Sequence, residues 1–241
     1  MTKKTNLDPH ERMVRAAAQL LASGGSEAVS TRAVSAAAKV QPPAIYRQFG
    51  DMRGLLDAAA SHCFAGYLAT KRSRRREEDP VDDLRRGWDL HVEFGLANPE
   101  VYALMYGDPG PGREPAAVRE GHAILRGLVQ RIAEAGRLRV TVERAVQMMH
   151  SGCKGVTLTL IGMPEEERDL GLSQAMREVI LSVIADSSKP AVNEINDELP
   201  ARRAIAMKAV LGSARGLTPA ELSLLSEWLD RLANSSTDPD K

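Results

Sequence analysis

Between residues 41 and 53 the chain reads "QPPAIYRQFGDMR", which puts Gln41, Ala44, Arg47 and Gln48 on one side of a short helix. These residue types suit the edges of base pairs. A glutamine amide can pair with adenine, a guanidinium with guanine, and an alanine methyl can touch the methyl of thymine. The hydroxyl of Tyr46 suits a phosphate oxygen, as do Thr31 and Arg32 one helix earlier. A second group suggests other chemistry. His150 and Cys153 stand three apart, a spacing that could chelate a metal, while His91 and His122 fall on or beside apolar helix faces. No further Cys, Asp or Glu ligand accompanies them. No Ser, His and acid arrive with the spacing of a nucleophilic centre, and no glycine-rich phosphate loop follows a strand. The sequence therefore favours binding over catalysis, with no cofactor and no metal expected. The rival reading is an all-α enzyme or metal-binding protein that uses His91, His122, His150 and Cys153.

The base-reading candidates need a helix that presents them. Proline inside a helix removes a hydrogen bond, but in the first turn it costs nothing, so Pro42 and Pro43 mark a helix start. That helix runs from about Gln41 to Arg47, with Val40 and Ile45 turned inward. Ser30 caps the preceding helix, which extends to about Ala38 with Val34, Ala37 and Ala38 inward. Lys39-Val40 form the turn between the two. Two short helices joined this way form a helix-turn-helix, whose second helix lies in the major groove. Upstream, Asp8 as N-cap, Pro9 and Glu11 suggest a capping box, Met13, Ala17, Leu20 and Leu21 an apolar stripe, and Gly24-Gly25 a stop. Downstream, a long helix starts at Asp51-Met52-Arg53, where its amides could face a phosphate. Its apolar pairs, from Leu55/Leu56 to Tyr67/Leu68, predict cover on two sides.

Residues 8 to 70 resemble the N-terminal domain of the TetR (tetracycline repressor) family of bacterial transcription regulators. The matching residues are Ser30-Thr31-Arg32, the Ala38-Lys39-Val40 turn, Ile45-Tyr46-Arg47-Gln48-Phe49 and the Leu55-Leu56 pair. The family's usual turn glycine is Lys39 here, which must accept a left-handed backbone at a cost of roughly 1 kcal/mol. Its usual lysine at the start of the fourth helix is Met52, with Arg53 placed to substitute. The resemblance implies an all-α protein, with a helix-turn-helix domain joined by a long helix to a helical ligand-binding and dimerisation body. The DNA-contacting residues are then Thr31, Arg32, Lys39, Gln41, Pro42, Ala44, Tyr46, Arg47, Gln48 and Arg53.

Charge agrees with that division. The net charge is zero, yet residues 1–80 carry 13 Lys/Arg against 8 Asp/Glu, a basic third on an acidic remainder. Two cysteines give no disulfide framework, and no apolar run approaches the roughly 18 residues of a membrane span. A cytoplasmic protein is expected. Further helices are read over 81–97, 116–135, 142–161 and 170–186, with two more after a polar linker and a disordered tail from 234. The "KRSRRREEDP" run at 71–80 is read as a solvated helix end and linker. Expected domains are 1–50 for the helix-turn-helix, 51–187 for effector binding and dimerisation, and 188–241 for a C-terminal helical extension. The body's helix faces carry Trp88, His91, Met105, His122, Met148, Met149 and Thr157. Such a lining suits a small, mostly apolar effector held by one or two hydrogen bonds. The partners expected are double-stranded DNA with a palindromic operator, that effector, and a second copy of the chain. The small residues Gly152 and Gly155 are expected to allow close approach of helices across a two-fold.

Overall fold

The computed structural model describes residues 8–73, 77–107, 115–186 and 199–234. The middle of the basic run, most of the glycine- and proline-rich loop, the polar linker and residues 235–241 of the tail lie outside the described residues, while Asn234, read as the start of that tail, ends a helix.

The fold is all-α. Its helices are α1 Pro9–Ala28, α2 Thr31–Ala38, α3 Pro42–Phe49, α4 Met52–Ser73, α5 Pro80–Ala97, α6 Pro99–Tyr106, α7 Ala116–Glu134, α8 Val142–Ile161, α9 Leu170–Ile184, α10 Leu199–Val210 and α11 Pro219–Asn234. Short 3-10 turns occupy Glu165–Glu167 and Leu211–Ser213, and an isolated antiparallel bridge pairs Leu138 with Ala185. The chain divides into two compact units, one of residues Met1–Arg74 and Glu93–Gly121, the other of Arg75–Val92 and His122–Lys241.

In the first unit, Met13, Ala17, Leu21, Val34, Ile45, Leu55 and Ala59 are fully buried. Each of the larger side chains contributes roughly 1.5–3 kcal/mol by leaving water, which is what holds helices as short as α2 and α3. α1 is broken where expected: Gly24 and Gly25 have non-helical angles, and Gly25 sits at φ 68°. Glycine suits that bend because a side chain at this left-handed φ would be strained. The predicted capping box of α1 does not form. Asp8 occupies the N-cap position without a side-chain cap bond, and Glu11 instead pairs with Arg15 at 2.6 Å, one turn along. In α2 the inward residues are Val34, Ser35 and Ala38, while Ala37 is exposed. Beyond the head, Phe64, Tyr67 and Phe94 form an aromatic cluster with ring centroids 4.8–5.2 Å apart.

The second unit is tied together by burial and by ion pairs between helices. Val81, Leu84 and Trp88 on α5 are buried, as are Ile180, Leu181 and Ile184 on α9. Arg85 bridges Asp82 at 2.7 Å and Glu178 at 3.0 Å, and its hydrogen bonds hold the Glu178 carboxyl below its usual range. Arg131 on α7 pairs with the buried Asp83 carboxylate. Gly152 does not face outward as the two-fold argument assumed. A Cβ there would meet Ile180 Cδ1 at 2.3 Å and Trp88 at 3.3 Å, so this glycine admits side chains of its own chain; around Gly155 the space is open. α11 opens on a capping box, with the Thr218 amide donating to Glu221 at 2.7 Å and the Glu221 amide donating to Thr218 Oγ1 at 3.4 Å.

Candidate nucleic-acid interface and ligand site

The candidate DNA surface begins at a well-formed cap. Ser30 Oγ accepts the Ala33 amide at 3.2 Å, so α2 starts at Thr31 and turns Thr31 and Arg32 onto its first turn. α2 ends at Lys39, whose φ of 54° and ψ of 52° are left-handed, as its place in the turn demands. The Lys39 and Val40 amides both donate to the Ser35 carbonyl, closing the turn. α3 then starts at Pro42, with Gln41 at its N-cap position and no side-chain cap bond. The Gln41 amide group is thus not used to cap α3.

Ile45 is fully buried and anchors α3, while Gln41, Pro42, Arg47 and Gln48 are exposed and Ala44 is partly so. One apolar anchor thereby sets which side of an eight-residue helix faces solvent. Phe49 closes α3 by stacking on His10 of α1, with centroids 4.7 Å apart. Tyr46 is half exposed, and its hydroxyl lies 3.0 Å from Thr31 Oγ1. Thr31 also donates to Met52 Sδ at 3.3 Å. Thr31, Tyr46 and Met52, three positions read separately from the sequence, therefore form one contact group. At the start of α4 the Asp51 carboxylate accepts the Gly54 amide at 2.7 Å. That cap takes an amide that was expected to face a phosphate, and it adds a negative charge there. Arg53 is exposed beside it, and Lys39 is exposed at the turn.

The candidate ligand residues are distributed between the two units. Met105 is buried on α6 in the first unit. Trp88, His91, His122, Met148, Met149 and Thr157 belong to the second. There Trp88 is buried, its indole N–H donates to Ser173 Oγ at 2.9 Å, and its carbonyl faces the Cys153 thiol at 3.9 Å. Thr157 is fully buried and donates to the Cys153 carbonyl of its own helix at 2.7 Å, leaving its oxygen's lone pairs for an incoming donor. Met149 is buried and Met148 half-buried, as is His91. The imidazoles of His122 and His150 meet edge to face, with centroids 4.1 Å apart. Burial, and then the neighbouring His122 and Lys154, push the His150 pKa down to about 4, so its ring is neutral at neutral pH. Sequence spacing placed His122 beside an apolar face and His150 three residues from Cys153, but gave no sign that the two histidines meet, because they come from α7 and α8. Among the described residues no group of three or more His, Cys, Asp and Glu could hold a metal ion.

Residues 13–59 match the family model described as bacterial regulatory proteins, tetR family. No curated protein matches the chain at a significant level. Similar solved structures include a transcription regulator from Shewanella sp. PV-4 assigned to the tetR family, with TM-score 0.57 and 17% identity over 75% of this chain and 100% of that one. The fatty acid degradation regulator FadR from Bacillus halodurans gives 0.57 and 18%, over 74% and 97%. A TetR variant from Acinetobacter baumannii AYE in complex with minocycline gives 0.54 and 23%, over 74% and 94%. At these identities the likeness is one of fold. The chain therefore has the fold of a tetR-family transcription regulator, with residues 13–59 as its family-matching N-terminal module.

Proposed function

We propose that the protein is a cytoplasmic, sequence-specific repressor that binds a palindromic operator as a homodimer and is released by a small, mostly apolar effector. The observation that carries this is the solvent face of α3, where Gln41, Arg47 and Gln48 project from a helix fixed by Ile45 and by the left-handed Lys39 turn. Arg32, Lys39 and Arg53 flank that face with positive charge suited to phosphates, and Thr31 and Tyr46 add hydroxyls. In functional terms residues 1–50 read DNA, 51–187 bind effector and pair subunits, and 188–241 form an extension. The exposed apolar residues Met176, Val179 and Val183 on α9, together with the open space around Gly155 on α8, support pairing of these two helices across a two-fold.

The effector site is assigned to the second unit, around Trp88, His122, Met148, Met149 and Thr157. Apolar surface there is interrupted by few polar atoms, which suits an apolar organic molecule oriented by one or two hydrogen bonds. Release requires the effector to favour the arrangement whose recognition helices are wrongly spaced for the operator. A roughly 100-fold preference supplies about 2.7 kcal/mol per site.

The test is a mobility-shift titration on DNA upstream of the protein's own gene. Arg47→Ala should weaken specific binding by about 1–3 kcal/mol and relax one base position, if it reads a guanine edge. Equal losses on operator and random DNA would remove Arg47 from the base-reading residues. Apolar compounds that raise the melting temperature should include some that release DNA, and Trp88→Ala or His122→Ala should abolish their effect.

A further inference from the structure

The C-terminal hairpin α10–α11 has an apolar face that its own packing does not use. Ala204, Leu211 and Leu229 form its buried core, with Leu222, Leu225 and Ala233 packed against them. On α11 the core residues 222, 225, 229 and 233 make one stripe. Leu224, Trp228 and Leu232 make a second, about a quarter turn or more around the helix, and are 45%, 51% and 47% exposed. The charged residues Glu227, Asp230 and Arg231 occupy the remaining side. A helix that packed only on α10 would need a single apolar stripe. Met207 and Val210 on α10 are likewise exposed.

We propose that this hairpin is part of the subunit interface, with Leu224, Trp228 and Leu232 packed against a second copy of the chain. The inference rests on the homodimer proposed above and names a surface that the α8–α9 pairing does not include. Two observations select a second copy as the occupant. The first is area. α9 offers Leu170, Met176, Val179 and Val183 as exposed large apolar side chains, whereas a stable interface takes roughly 20–30 residues from each partner. The hairpin supplies the missing apolar surface, including a tryptophan of the kind that dominates interface energetics. The second is continuity. Arg202 of α10 pairs with Asp186, two residues past the end of α9, and its guanidinium also donates to the Gly136 carbonyl. Gln130 of α7 donates to the Ala209 carbonyl at 2.6 Å. These bonds fix the hairpin to the same unit, next to the end of the proposed α9 interface.

The experiment is sedimentation velocity on the full chain over a concentration series, comparing wild type with Trp228→Asp, Trp228→Phe and Val179→Asp, with far-UV circular dichroism to confirm folding. Acrylamide quenching of Trp228 in a Trp88→Phe background runs beside it. The expected result is a dimer whose dissociation constant rises at least about tenfold in Trp228→Asp and recovers in Trp228→Phe, with Trp228 becoming shielded as the dimer forms. If Val179→Asp dissociates the dimer while Trp228→Asp leaves it intact, the hairpin assignment is wrong and the dimer stands. If Trp228 stays equally open to quencher in the dimer, the stripe serves some other partner and the assignment is again wrong. A wild-type monomer at all concentrations overturns the dimer and the hairpin interface together.

Discussion

Replacing Lys39 by glycine should move stability and DNA affinity in opposite directions. Lys39 is the one described residue other than glycine with a positive φ, at 54°. An L-residue in the left-handed region costs roughly 1–2 kcal/mol, and glycine removes that cost. Glycine also has more freedom to lose on folding, which offsets roughly 0.5–1 kcal/mol of the gain. Lys39→Gly should therefore stabilise the head by about 0.5–1 kcal/mol, seen as a higher urea midpoint at unchanged slope. Lys39→Gln keeps the left-handed geometry and removes the charge, so its midpoint should not rise. In DNA binding both variants should weaken by about the same amount. Each removes one cation near the backbone, lowering the log–log salt slope by roughly 0.9 for each phosphate that is no longer neutralised. If Lys39→Gly were no more stable than Lys39→Gln, the turn would not be held left-handed in solution. If neither changed the salt slope, Lys39 would not lie against phosphate.

Three further outcomes follow from the same structure. His150 is held to about pKa 4 against an ordinary 6.5, so between those values the unfolded chain binds more protons and stability falls as pH drops. The half-buried ring limits that loss to about 1–2 kcal/mol, and His150→Gln should flatten the dependence in urea titrations at pH 7 and pH 4.5. Gly152→Ala should cost about 1–2 kcal/mol in thermal or urea unfolding, because its Cβ meets Ile180 and a Trp88 ring fixed by its bond to Ser173; Gly155→Ala has open space and should not share that loss. Thr31→Val should weaken operator and random DNA about equally in filter binding, since Thr31 is placed to contact backbone and its hydroxyl also meets Tyr46.

How much of this was legible in the sequence depends on how far apart the interacting residues lie. Ser30 as a cap, Pro42 as a helix start and the Thr218–Glu221 box were readable, because each is settled within three or four residues, whereas the left-handed turn at Lys39 came only from the family resemblance. The same local rule failed at Asp8, where Glu11 had an equally near alternative in Arg15 and took it. The apolar period gave the helices and the inward position of Ile45, and hence the outward residues of α3.

Meetings between distant helices were decided by tertiary packing. Nothing in the spacing of His122 and His150 indicates that α7 and α8 bring their rings together, or that burial then keeps His150 neutral. Gly152 and Gly155 are alike as letters three apart. Only the arrival of Ile180 and Trp88 makes one of them a cradle for side chains while the other faces open space. The second apolar stripe of α11 was hidden for the same reason. Hydrophobic spacing says which residues avoid water, but the packed chain alone shows which of them it has left exposed.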